Sequence, residues 1–467
     1  MDGSNTDCVM PADIYSVLPK EKVLTAEDGA AYEEAIKRWA DNASKRAKYV
    51  VHVADAQDTS KAIRFAVENN LEIAIRGGGH SASGASSTEG GLVVDLSKLR
   101  TVTVDAEKSL IHVGGGALWE DVDKEAIKYG LATVGGTVNH TGVGGLTVGG
   151  GYGWLTPKYG LTIDVLRSAQ VVVANGDIVE ASETENSDLF WAIRGGGSNF
   201  GAVTRFTFQG FPQKPNVYAG LLLFSLEQLP QIVAALNKFT ENATEDESVM
   251  LFIAHPPFVG KTSLIIAPFH NGSLEAGKKV FGDFYANGPL KDLTRELPYE
   301  ELNAVQNPVT THGDRKAFKV ATLDTISVEL VSHVVSQYEK MRELFPGAER
   351  SAIIFELHNP RKIISVPGNA TAFAGRGEGY LLNLATRWTD PAHDKDIYQY
   401  ITGIVSGLDA FRGEKAKKTT AYSNYNGGDE RVRDVFGANY DRLSEVKAKY
   451  DPNSVFHRWF TIKPKSA

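Results

Sequence analysis

The sequence predicts an α+β fold in two parts, and three observations carry that expectation. The chain opens as a β-α-β unit, with an apolar strand at 49–53, a helix at 57–69 and a second apolar run at 71–75. A glycine-dense tract follows, with nine glycines between Gly135 and Gly153. A packed helix or strand does not tolerate that many, because each glycine costs backbone entropy. After Phe211-Pro212 glycine thins out, and strands alternate with longer helices around what reads as an antiparallel sheet. At 467 residues the chain exceeds one ordinary domain, so two cores are expected.

The elements follow in order. A helix is expected at 26–39, where Tyr32, Ala35, Ile36 and Trp39 share a face. The helix at 57–69 turns Ala62, Ile63, Phe65 and Ala66 inward. Short strands are expected at 91–95, 101–104 and 110–113, then a helix at 118–129. The glycine-dense tract reads as a loop laid against a large flat ligand. A strand at 169–174 runs into an Asn175-Gly176 hairpin turn, followed by a helix at 189–193 and an alternating strand at 203–208. In the second part, strands are expected at 221–224, 249–254, 263–269, 353–357 and 380–388, and helices at 229–239, 328–344 and 395–408. The last segment, 440–462, carries a helix and a terminal apolar run.

Composition excludes several classes. Hydrophobic residues make up 42% and charged residues 23%, as in a globular protein. The net charge of −8, without a Lys/Arg-rich run, argues against nucleic acid as a partner. No apolar stretch approaches the length of a membrane span. No basic and apolar leader opens the chain, so a cytoplasmic location is expected for the sequence as it stands, and a secreted one for a processed form. The single cysteine, Cys8, cannot form an internal disulfide. No metal site is expected, since His312 and Asp314 alone are too few ligands.

The stretch from Ile75 to Gly84, Ile-Arg-Gly-Gly-Gly-His-Ser-Ala-Ser-Gly, carries the chemistry. Three consecutive glycines let another group approach the backbone N–H groups closely, and a diphosphate fits that description. His80 follows directly, so its imidazole projects at whatever the loop holds. A Gly-rich turn with an incidental histidine is the competing reading of this stretch alone. In a Rossmann unit the glycine fingerprint follows the first strand; here it follows the second, which argues against that fold.

Four motifs in order then resemble the FAD-linked oxidoreductases of the vanillyl-alcohol oxidase superfamily, in the berberine-bridge-enzyme-like branch. They are Arg76-Gly77-Gly78-Gly79-His80-Ser81; Gly135-Gly136-Thr137 through Gly142-Val143-Gly144-Gly145 to Gly149-Gly150-Gly151-Tyr152-Gly153; Asp188 to Gly197 continuing into Asn199-Phe200-Gly201; and Asn439-Tyr440 with Lys449-Tyr450-Asp451-Pro452. The tract from Trp154 to Leu161 is similar to 6-hydroxy-D-nicotine oxidase-like members. The resemblance implies a two-part FAD-binding domain, residues 1–210 and 421–467, around a substrate domain at 211–420 whose antiparallel sheet roofs the flavin. It implies that amides of Gly77, Gly78, Gly79 and Ser81 hold the diphosphate, with Arg76 and Gly84 in the same loop. Thr137, Thr141, Gly144, Gly145, Gly149, Gly150 and Gly153 are implied to line the flavin, Val203 the adenine end, and Thr461 a flavin oxygen. His80 is implied to bond covalently to FAD. Doubly linked members carry a second bond through cysteine, but that position here is Val138, so attachment through His80 only is expected.

The same resemblance implies an oxidase: substrate hydride goes to the flavin, a side chain takes a proton, and O2 reoxidises the cofactor to give H2O2. The substrate is expected to be a small alcohol, sugar hemiacetal or amine. An oxidative cyclase of secondary metabolism, or a flavoprotein that binds or cyclises a ligand without net redox, is the alternative. Tyr425, in a Tyr-rich segment 422–425 read as a strand, is the first candidate base. His140 in the flavin loop, and Glu356 and His358, two apart and so on one strand face, follow it. A monomer or homodimer is expected.

Overall fold

The computed structural model describes residues 13–466. Three main sheets organise them. The first has four strands in the order Val23–Leu24, Tyr49–His52, Leu92–Asp95, Ile73–Arg76, the last three parallel. The helix Ala56–Glu68 is capped by Asp55, whose carboxylate accepts from the amide of Asp58. It packs Ala62, Ile63, Phe65 and Ala66 against Val51, Ile73, Leu92 and Val94. Ile73–Arg76 is an edge strand, and the glycine loop leaves its C-terminal end.

The second sheet is antiparallel, in the order Val102–Asp105, Leu110–Gly114, Ala202–Gln209, Leu166–Val172, Ile178–Ser182. The third has nine strands. Its main path runs Lys291–Asp292, Leu222–Phe224, Ser263–His270, Glu247–Ala254, Ala352–Leu357, Tyr380–Trp388, Arg315–Leu323, with Asn216–Ala219 and Arg295–Pro298 paired beside it. One face is covered by the helices Leu229–Asn242, Val328–Leu344 and Asp394–Gly407, which bury Leu251, Ile253, Leu264, Ile266, Phe355, Leu382 and Leu384. The alternate residues point the other way, into the site described below, as the two-residue period of a strand requires.

The sequence reading needs correction at five elements. The helix expected at 26–39 is a 3₁₀ turn, Ala26–Asp28, then Ala30–Ile36; Lys37 turns extended and frees Trp39 to leave the helix face. The helix expected to 129 stops at Ala126 and tightens into a 3₁₀ turn, Ile127–Tyr129. Segment 422–425 is no strand: Ser423–Tyr425 is a 3₁₀ turn. The second glycine tract contains a short helix, Val143–Val148. The strand Arg315–Leu323 was not anticipated, because Lys316 and Lys319 break its apolar pattern. Both lysines are buried against acceptors: Lys316 donates to carbonyls of Trp39 and Gly313, and Lys319 to Asp429 and Glu430. Cys8 lies outside the described residues.

Candidate active site

The two glycine loops meet back to back. A Cβ on Gly78 would lie 2.5 Å from the Gly142 nitrogen, and one on Gly142 would lie 2.4 Å from the Gly78 nitrogen. Only two glycines allow that approach. The loops form one side of a cavity of about 640 Å³, and the open face of the nine-stranded sheet forms the other.

The loop side has the character of an anion cradle. Among the described residues, no group accepts a hydrogen bond from the amides of Gly77, Gly78, Gly79, His80, Ser81 or Ala82. Gly79 has φ +69°, a left-handed turn that suits glycine. A run of backbone donors without protein acceptors, beside a cavity, fits a diphosphate. Gly77, Gly78, Gly79 and Ser81 line the cavity, with Thr137, Thr141, Gly144, Gly145, Gly149 and Val203. Val138 lines it too.

Five expected flavin contacts are placed elsewhere. Arg76 is absent from the cavity lining and binds Asp95 at 2.6 Å. Gly84 is set back from the cavity, while its neighbours Ser83 and Ala85 line it. Gly150 packs against Phe373 and Tyr422, and Gly153 against the carbonyl of Gly135, so both support the loop from behind. The Thr461 hydroxyl donates to the His457 carbonyl at 2.8 Å, and Trp459 faces the cavity instead.

His80 projects into the cavity. Its ring lies on Trp39, with centroids 4.3 Å apart and planes 14° apart, and its Nε2 is 2.8 Å from His140 Nδ1. His312 stands 5.0 Å from His140, ring to ring. Burial holds His80 well below the usual histidine range, and His140, His312 and Lys316 push it the same way. Burial likewise brings His140 down to about 4 and Lys316 down to about 8. His80 is therefore a neutral imidazole at neutral pH, the form that acts as a nucleophile. His140 stands behind His80 and does not line the cavity.

Across from the loops, alternate strand residues form cross-strand rows. One row reads Leu223, Ile265, Phe252, Ile354, Asn383, Val320. The next pairs Met250 with Glu356. All of these except Val320 line the cavity. Tyr425 stands close to Glu356, and both line the cavity. Burial first, then the Glu356 charge, raises the tyrosine well above its usual range, so it is not a base by itself. His358 sits past the strand end, behind the cavity. Its Nδ1 is 3.4 Å from the Ser248 hydroxyl and its Nε2 is 3.5 Å from Glu356. Of the four base candidates, Glu356 and Tyr425 are brought together at the cavity, and His140 and His358 are each one layer behind.

The sequence reading missed Trp39, Asn383 and the loop carrying Gln306 and Thr310. A lone polar residue in the apolar run Leu381-Leu382-Asn383-Leu384 was the available signal for Asn383. Among the described residues no cluster suits a metal ion.

A glycine-walled anion cradle under a sheet roof defines a binding site for a phosphate-bearing cofactor outside the Rossmann class. Two family models match the chain: "FAD binding domain" at residues 47–182 and "Berberine and berberine like" at residues 421–459. The FAD-linked oxidoreductase pgmH of Aspergillus terreus is 36% identical over 460 residues, covering 93% of this chain and 91% of its own. The (R)-6-hydroxynicotine oxidase of Paenarthrobacter nicotinovorans is 27% identical over 462 residues, covering 94% and 96%. The crystal structure of 6-hydroxy-D-nicotine oxidase from Arthrobacter nicotinovorans superposes with a TM-score of 0.82 at 26% identity, over 95% of this chain and 98% of that one. The glucooligosaccharide oxidase of Acremonium strictum shares the fold, with a TM-score of 0.83 at 23% identity over 97% and 99%. The chain belongs to the berberine-bridge-enzyme-like family of FAD-linked oxidoreductases.

Proposed function

We propose that this oxidoreductase is an oxidase of a small alcohol or amine with an apolar body, using FAD held by one covalent bond through His80. The observation that carries the reading is one cavity lined by His80 from the glycine loop, Glu356 from the sheet and Tyr425 from the turn Ser423–Tyr425. Bound FAD would supply hydride acceptance and return of electrons to O2. The chain's own residues do the rest. The Tyr425 oxygen accepts the substrate hydroxyl or amine proton as its own proton passes to Glu356, so the pair acts as one base. Leu223, Ile265, Phe252 and Ile354 exclude water and orient the apolar part.

The apolar row favours such a substrate over a sugar, which needs hydrogen-bonding partners along its length. It is compatible with the substrate for which the hydroxynicotine oxidase is named. An oxidative cyclase that closes a ring on an aromatic substrate is the second reading, and the same apolar row supports it.

Single attachment rests on Val138. The glucooligosaccharide oxidase carries a flavin linked through both cysteine and histidine. Here valine lines the cavity at that position and offers no nucleophile.

The test is acid denaturation, proteolysis and mass spectrometry, with peroxide release measured over a panel of aromatic alcohols, amines and sugars. Flavin on the His80 peptide alone, and peroxide with the apolar substrates, is the expected result. Free flavin overturns the attachment, and peroxide from sugars alone overturns the substrate class.

A further inference from the structure

We propose that the Gln306 carbonyl, through Thr310 and His140, sets the tautomer of His80, and that His140 takes the proton His80 gives up when its flavin bond forms. The proposal rests on covalent attachment at His80 and deepens that reading.

The Thr310 hydroxyl donates to the Gln306 oxygen at 3.0 Å, sharing it with the amides of Val309 and Thr310. The Thr310 oxygen is then the acceptor for His140 Nε2–H, at 3.4 Å. A neutral imidazole carries one N–H, so His140 Nδ1 is bare and accepts. Its partner at 2.8 Å is His80 Nε2, which must therefore carry the His80 proton. His80 Nδ1 is left with a free lone pair, and it has no hydrogen-bond partner among the described residues while the ring lines the cavity. The chain thus aims the nucleophilic nitrogen at the cofactor and keeps it unprotonated.

The other fixtures of the relay agree. The Thr310 carbonyl accepts from Trp39 Nε1–H at 2.7 Å, so the tryptophan that stacks on His80 also pins the residue that ends the relay. Besides Glu120, whose charge pulls His140 the other way, His312 and the Lys316 ammonium are the titratable groups near the pair. Their positive charge, when present, opposes a second charge on either ring, so neutral forms are favoured at rest.

The reaction balances as follows. A bond forms between His80 Nδ1 and the 8α carbon of the flavin. That carbon loses one proton, and His80 loses the other from Nε2 to His140. Two electrons are left on the flavin and pass to O2, which takes up two protons and leaves as H2O2.

The test follows bond formation directly. Apoprotein is incubated with excess FAD, and flavin retained after acid denaturation is measured against time, with total bound FAD before denaturation as the control for folding. His140→Ala is expected to bind FAD yet form the bond at least tenfold more slowly, with added imidazole restoring part of the rate. His140→Asn, whose side-chain oxygen can accept from Nε2–H but cannot carry a proton away, is expected to fall between. Thr310→Val is expected to slow the step several-fold. A wild-type rate in His140→Ala overturns the proposal. If His140→Ala binds no FAD, Thr310→Val decides, and a wild-type rate there overturns the tautomer relay. Wild-type protein that releases all its flavin on denaturation instead overturns the attachment on which the proposal stands.

Discussion

Trp39 lies nearly parallel to both His80 and Phe318, with ring centroids 4.3 Å and 5.7 Å away and planes 14° and 13° apart. The indole also donates to Thr310 and receives the Lys316 ammonium over its ring at 4.4 Å. It therefore joins the glycine loop to the last strand of the sheet roof. Trp39→Phe keeps an aromatic ring to stack but loses the N–H donor and part of the ring area, so it should lower apoprotein stability by about 1–2 kcal/mol. Trp39→Leu loses stack and ammonium contact together and should cost about 3 kcal/mol. Urea unfolding checks both. Equal costs would show that the ring faces carry no stabilisation of their own.

The Glu356–Tyr425 pair makes a second expectation. Tyr425→Phe keeps the ring against Phe318 and Tyr422 and loses only the hydroxyl. Flavin reduction by substrate should slow by about a hundredfold, and Glu356→Gln should slow it at least as much, with covalent flavin intact in both. Because the pair acts as a unit, the double variant should be little worse than either single one. Anaerobic stopped-flow spectroscopy measures the step. Multiplicative effects in the double variant would mean that the two residues act separately.

Local signals made much of this molecule legible. Helix Val328–Leu344 and strand Tyr380–Trp388 fall where the sequence puts them, since the helix buries one face against a single core and the strand is buried along nearly its whole length. The loop Gly77–Gly79 and His80 were readable because a glycine run has few other uses. What could not be read was set by tertiary contact. Trp39 reads as a helix-face residue until Lys37 turns extended and gives it His80 to stack on. The strand Arg315–Leu323 is masked by its two lysines, of which Lys319 finds its partners, Asp429 and Glu430, far along the chain. Thr461 and Gly150 were placed at the flavin by motif alone, and the chain around them turns them to structural partners.

Asp123 should make stability depend on pH. It is buried on the helix Trp119–Ala126, accepts from Asn303 Nδ2 at 2.7 Å, and burial raises its pKa from 3.8 to about 7. The folded protein therefore holds a proton that the unfolded chain releases. The contribution is fully present below pH 3.8 and is lost as pH rises through about 7. Asp123→Asn keeps a neutral amide there, and its own N–H₂ can reach the unpartnered Asn303 Oδ1. The variant should be more stable than wild type at pH 8, by on the order of 2 kcal/mol, and about equal at pH 4. Denaturant unfolding at both pH values checks this. An advantage that does not grow with pH would mean that Asp123 stays ionised in the fold.

Asn383 supplies the last expectation. It stands in the cavity row between Ile354 and Val320, is 3% exposed, and its Oδ1 has no partner among the described residues. An unmade hydrogen bond at a buried amide costs about 1–3 kcal/mol, and no gain in packing requires an amide where its row neighbours are aliphatic. The amide is thus a stability cost, and it stands in the row beside Glu356, where a substrate hydroxyl or amine would be held for the base. Asn383→Leu should raise apoprotein stability by about 1 kcal/mol, because the unpaired group is gone and its shape is kept. The same change should weaken substrate binding by about tenfold, seen as a higher substrate concentration for half-maximal flavin reduction, while FAD attachment is unchanged. The two effects have opposite signs, and that is what distinguishes a substrate contact from a packing residue. A variant less stable than wild type, with substrate binding intact, would show that Asn383 serves the fold.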